Sequence, residues 1–135
     1  MTTDLHSQAI AGGIIDSLSD DKIVLNITGT EYQLHLVPTT EIGVEAGKRI
    51  RGTIEAKALK IHSAAGGGRF IEPVNGSPRI VAGVVLAVDE ETRTVLVDVA
   101  VPMKVILGDA QDLNICRVGE LVNFYVESGA SFTPA

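Results

Sequence analysis

The stretch Gly13-Ile14-Ile15-Asp16-Ser17-Leu18 returns as Gly83-Val84-Val85-Leu86-Ala87-Val88, an offset of 70 between positions 13 and 83. Each version opens on a glycine followed by β-branched residues. Each also runs on into an acidic cluster, Asp20-Asp21 in the first and Asp89-Glu90-Glu91 in the second. Beyond the clusters Ile23, Leu25 and Ile27 recur as Val95, Val97 and Val99, now at an offset of 72. A spacing of two sets such a triplet on one face of a strand. Acidic residues between two such runs read as hairpin turns, where they supply solubility and local hydrogen bonds. Repetition over this length is the mark of a duplicated structural unit.

The match continues downstream. Leu34 and Leu36 align with Val105 and Leu107 at an offset of 71, and Gly47, Ile50, Ile54 and Glu55 with Gly119, Val122, Val126 and Glu127 at 72. Changes of spacing fall where turns are expected. Short β-branched runs punctuated by turn residues predict strands of roughly five to eight residues and no long helix. Ile50, Gly52, Ile54 and Ala56 alternate with Arg49, Arg51, Thr53 and Glu55, which turns the second group toward solvent.

Between the copies lies Ser63 to Arg79, with Gly66-Gly67-Gly68, Pro73, Asn75-Gly76 and Pro78. Glycine admits positive φ and proline blocks ladder bonding, so this stretch reads as a connector whose middle is pinned by Phe70 and Ile71. The predicted organisation is a flexible N-terminus (1–9), a first repeat (10–62), the connector (63–79) and a second repeat (80–135).

Each copy reads as strand, turn, strand, strand, a short crossing with glycine, and a strand with a small-residue tail. That is the outline of a small five-stranded OB-type Greek-key barrel. The segment from Val44 through Gly47, Ile50, Ile54, Glu55, Ala56, Lys57 and Ala58 to Ile61 resembles the end of the molybdate-binding Mop and TOBE repeats, which commonly close in G-x-x-V-x-A-x-I-K-A-S-x-V-x-L. Gly119 to Ser128 is similar, and the match slips by a residue after Ser128. The resemblance covers nearly the whole chain. It implies an all-β fold of two tandem small OB-like Greek-key barrels, each with at most one short helical turn. It also implies a small tetrahedral oxyanion such as molybdate, held at subunit interfaces by hydroxyls, backbone N–H groups and a lysine. Donors of that kind surround an anion without a metal.

Two departures bear on that ligand. The family lysine is Glu55 in one copy and Glu127 in the other, and a carboxylate there repels molybdate. Thr39 and Thr40 stand where the family places a hydroxyl, Lys57 lies two residues from the lysine position, and the second copy has Gly108-Asp109 in place of the threonines. The candidate oxyanion residues are therefore Thr39, Thr40, Lys57 and Ala58.

Composition narrows the remaining classes. In 135 residues, 45% are hydrophobic, enough for a dense core in one domain or in two very small ones that share it. No apolar run approaches the roughly 20 residues of a spanning helix. Met1 to Gln8 lacks the basic start and apolar stretch of a signal peptide. The single Cys116, beside Ile115 and near Val118, reads as a packing thiol and suits a reducing compartment. A cytoplasmic protein without membrane association is expected. The net charge of −6 repels nucleic acid on average. Lys48, Arg49, Arg51, Lys57 and Lys60 form the one basic concentration, a physical basis for single-strand binding on an OB face. The few aromatics, Tyr32, Phe70, Phe124, Tyr125 and Phe132, are scattered rather than arrayed for stacking.

His6, His35 and His62 are far apart in sequence, and there is no paired cysteine, so no metal site is predicted. No nucleophile elbow or P-loop occurs, and no catalytic residue is assigned. The leading expectation is a non-enzymatic β-barrel binding or assembly module. It would self-associate in a homo-oligomer or bind a protein partner, and carry a small anion at the four residues named. The alternatives are a nucleic-acid-binding OB protein using strand 48–60, and a purely structural interaction domain.

Overall fold

A computed structural model describes residues 8–63 and 68–135. The fold is all-β and barrel-like. Among the described residues eleven strands run in the order β1 (Ile10–Leu18), β2 (Ile23–Ile27), β3 (Gln33–Pro38), β4 (Arg49–Ser63), β5 (Phe70–Glu72), β6 (Asn75–Gly76), β7 (Ile80–Asp89), β8 (Thr94–Asp98), β9 (Pro102–Ile106), β10 (Leu121–Val126) and β11 (Ser131–Pro134). One 3₁₀ turn, Leu113–Ile115, precedes β10.

The pairings close two five-stranded rings. In the first, β1 pairs with β2, β2 with β3, β3 in parallel with β11, β11 with β4, and β4 with β1. In the second, β7 pairs with β8, β8 with β9, β9 in parallel with β4, β4 with β10, and β10 with β7. Both rings use β4. Its start, Arg49–Glu55, faces β1 and β11, and its continuation, Glu55–Ser63, faces β9 and β10. Each copy therefore lends its last strand to the ring of the other. A single hydrophobic cluster runs through both rings, from Ile15, Leu25 and Leu34 in the first to Val97, Met103 and Phe124 in the second.

The duplication is visible in backbone detail. β1 bulges between Ile15 and Ser17, and β7 bulges between Val85 and Ala87. The residue before each bulge is clasped by a turn with glycine at φ 89°. Gly47 N donates to the Ile15 carbonyl at 2.7 Å and Ile15 N to the Lys48 carbonyl at 3.0 Å. Gly119 N and Val85 N repeat the pair with Val85 and Glu120 at 2.8 and 3.0 Å. A bulge twists a strand sharply, and here it bends β1 and β7 around their rings.

Strand register corrects one alignment. Leu34 lies opposite Leu25 and Leu36 opposite Ile23, whereas Met103 lies opposite Val97 and Val105 opposite Val95. Leu34 and Leu36 therefore correspond to Met103 and Val105, an offset of 69 rather than 71. The turn Val99–Val101 is shorter than Thr28–Tyr32, and the added 3₁₀ turn restores the spacing before Gly119. A shift of two keeps every side chain on its face, so the apolar pattern alone does not detect it.

Met1–Ser7 lies outside the described residues, but Ala9 is buried against Ala87 and Leu96, so position 9 belongs to the packed structure. Gly66-Gly67 also lies outside them. The rest of the connector carries β5, paired with β7, and β6, paired in parallel with β3, and Ile71 enters the core. No helix among the described residues is long and apolar enough to cross a membrane.

Candidate functional site

The four oxyanion candidates do not converge. Thr39 follows the end of β3. Its N–H donates to the Phe132 carbonyl at 3.0 Å, and its Oγ1 lies 2.7 Å from Thr133 Oγ1. The hydroxyl thus ties β11 into the first ring. Thr40 opens into a depression shared with Ser19 and the carboxyl groups of Asp20 and Glu41. Lys57 lines a different, shallow cleft of about 340 Å³ with Glu55, Glu127, Ser128 and Ser131. Ala58 is half-buried against the core, and its carbonyl accepts from Gln111 Nε2 at 2.9 Å.

The cleft at Lys57 is where the two exchanged strands meet. Glu127 N donates to the Lys57 carbonyl at 2.8 Å, and Ser131 lies opposite Glu55. The two glutamates that replace the family lysine therefore share the cleft with Lys57. Two carboxylates against one ammonium give the lining a net negative formal charge, which opposes an anion.

The basic residues Lys48, Arg49, Arg51, Lys57 and Lys60 are all exposed, yet β4 distributes them. Lys48 sits in the turn that clasps Ile15, Arg49 and Arg51 border a groove over Gly12, and Lys57 enters the acidic cleft. Lys60 lies opposite Tyr125 in the second ring. Phe124 and Phe132 are fully buried and do not present stacking faces.

The other titratable candidates have structural explanations. Burial, with the nearby Asp112 carboxylate adding to it, pushes the Cys116 thiol up from 9.0 to about 11, so it is held protonated. His35 Nε2 lies 2.7 Å from Asn75 Oδ1 and joins β3 to β6. Among the described residues no three His, Cys, Asp or Glu side chains gather as a metal site.

Sequence reasoning missed an apolar surface. In the β4–β10 ladder Lys60 faces Tyr125 and Ala58 faces Val126, which leaves Leu59 as an extra, bulged residue. Leu59 continues the outward positions of Arg49, Arg51 and Lys57 and is 58% exposed, beside Tyr125 at 44%, while the bulge lets Ile61 return to the core. With Pro73 and Ile80 they line a groove of about 600 Å³ bordered by Glu72 and Arg79. His62 meets the Tyr125 ring edge-on, with centroids 5.6 Å apart. The available signal was the adjacent pair Ala58-Leu59, which interrupts the two-residue alternation of β4.

No protein-family model, curated protein or solved structure matches this chain.

Proposed function

We propose that this protein is a non-enzymatic assembly module that self-associates through the Leu59–Tyr125 groove. The observation that supports it is the exposed leucine beside Tyr125, a large apolar side chain at an outward position of β4 where the strand pattern calls for a polar residue. Covering a large apolar side chain stabilises an association by about 1.5–3 kcal/mol, and apolar patches with polar rims mark interaction surfaces.

A second copy suits this groove by charge. Among the described residues the one ion pair is Arg69 with Asp98 at 2.7 Å, which leaves Glu72 and Arg79 on the rim without a salt-bridge partner. In a two-fold arrangement, Glu72 of one copy meets Arg79 of the other while the Leu59 and Tyr125 surfaces cover each other. The oxyanion reading has weaker support, because Thr39 is engaged with Thr133 and Lys57 is flanked by two carboxylates.

Sedimentation velocity over a concentration series tests the reading. Association that weakens in Leu59→Asp and Tyr125→Ser, with circular dichroism and melting temperature unchanged, supports it. A wild-type protein that stays monomeric at its solubility limit contradicts it.

A further inference from the structure

The duplicated rings differ at one edge. In β7 the stretch Ile80–Ala82 is paired on both sides: with β10 through Tyr125, Phe124 and Asn123, and with β5 through Glu72, Ile71 and Phe70. The equivalent stretch of β1, Ile10–Gly12, pairs with β4 through Thr53, Gly52 and Arg51. On its other side the pairing with β2 begins only at Gly13, opposite Ile27, and among the described residues no strand takes the place that β5 fills in the second ring.

The backbone polarity of that edge follows from its neighbours. Ile15 exchanges its bonds with the Gly47-Lys48 turn, on the β4 side. Alternation along an antiparallel strand then points the N–H and C=O of Gly12 and Ile10 to the open side, where the equivalent groups of Ala82 and Ile80 meet β5. Ile10 and Gly12 are both partly exposed. A groove of about 680 Å³ opens here, lined by Ile10, Gly12, Thr28, Val44, Arg49 and Arg51.

Charge distinguishes this groove from its counterpart. The positions equivalent to Arg49 and Arg51 are Leu121 and Asn123, both uncharged. Neither arginine has an ion-pair partner among the described residues. The strand that fills the second-ring slot, Phe70-Ile71-Glu72, is short, apolar and ends in a carboxylate.

We propose that the β1 edge of the first ring receives an extended acidic peptide from a partner protein, added antiparallel to Ile10–Gly12 as β5 is added to β7. The peptide backbone bonds to Ile10 and Gly12, its carboxylates lie on the outer face that Ile10 shares with Arg49 and Arg51 and pair with those arginines, and its apolar side chains turn inward beside Ala11, as Ile71 does beside Val81. Edge addition draws affinity from main-chain bonds and selectivity from alternate side chains. Guanidinium groups suit carboxylates because they bind them through two parallel hydrogen bonds.

The test uses the full-length ¹⁵N-labelled protein and a blocked hexapeptide of alternating Glu and Val, with an alternating Lys and Val peptide as control. The expected result is shifts centred on Ile10 to Gly13, Arg49 and Arg51, with slower exchange of the Gly12 amide. Arg49→Glu with Arg51→Glu should weaken binding by roughly tenfold or more, and so should Gly12→Pro, which removes an outward N–H. Should Gly12→Pro disturb the fold, the arginine variant carries the test. Absence of shifts at excess peptide, equal binding of the lysine peptide, or shifts confined to the Leu59–Tyr125 groove would overturn the proposal. So would Gly12 and Ile10 amides already protected without peptide: concentration-independent protection would assign the edge to the chain's own N-terminal residues, and concentration-dependent protection to a second copy.

Discussion

Gly52 of β4 lies directly beneath the ring of Phe132 from β11: a Cβ at position 52 would come within 2.5 Å of Phe132 Cζ and would also collide with the Thr133 carbonyl. Phe132 is fully buried, so the space above Gly52 is filled by a side chain from the far end of the sequence. In the second ring the relationship is inverted. The position equivalent to Gly52 is Phe124, and the one equivalent to Phe132 is Ala58, as their shared partners Ile54 and Val126 show. Each ring thus holds one phenylalanine at this level, the first on the borrowed strand and the second on its own.

Removing the borrowed ring should be costly. Phe132→Ala is expected to destabilise the protein by about 3–5 kcal/mol, the range for deleting a buried phenylalanine. Gly52→Ala, which crowds the same space from below, should cost roughly 1–3 kcal/mol. Urea denaturation of both variants checks the values, and a Phe132→Ala protein as stable as wild type would show that β11 is not packed as described.

The two opening glycines allow strands to pass closely. A Cβ at Gly13 would stand 2.6 Å from the Asn26 carbonyl oxygen, and one at Gly83 would collide with the equivalent oxygen of Asp98. Gly13→Ala and Gly83→Ala should both lower the melting temperature, with Gly83→Ala the more damaging. Gly43→Ala, which meets nothing within 4 Å, should leave it nearly unchanged.

Cys116 gives a signed pH dependence. Its folded pKa lies at about 11 against an ordinary 9.0, so the unfolded chain loses this proton first as pH rises. The stability associated with the neutral thiol is fully present below pH 9 and is lost progressively toward about pH 11. Denaturation midpoints across that window should fall less steeply in Cys116→Val than in wild type. The thiol should also react slowly with maleimide in the native protein.

Molybdate provides a test of the cleft at Lys57. Calorimetric titration with molybdate, tungstate, sulfate or phosphate should give no saturable heat, because Glu55 and Glu127 share that cleft. Saturable heat that disappears in Lys57→Ala would restore the oxyanion reading.

The barrel strands were legible because β-branched residues recur at intervals of two and glycines recur at matched positions. Gly13 and Gly83, or Gly47 and Gly119, can be aligned by eye, and each pair performs the same backbone task. Three features were not legible for physical reasons. The Leu34 alignment failed because a two-residue slip preserves the buried face. The dispersal of Thr39, Thr40 and Lys57 depends on β11 lying beside β3, a long-range pairing with no local sequence signature. The exposed Leu59 was hidden by its type, because an apolar residue at an outward strand position reads locally as core until its neighbours across the sheet are known.

The central claim is that each ring is closed by the other copy's last strand, and a pair of cysteine cross-links tests it most directly. In a Cys116→Ala background, Val37→Cys with Ser131→Cys places two thiols on directly paired residues of β3 and β11, within the Cα separation of about 4.4–6.8 Å that a disulfide spans. Ile106→Cys with Ser131→Cys places them where they would meet only if β11 closed its own copy's ring beside β9, the position that Lys57 holds in this fold. Strand exchange predicts rapid intramolecular oxidation of the 37–131 pair and none of the 106–131 pair. The reverse pattern would contradict it.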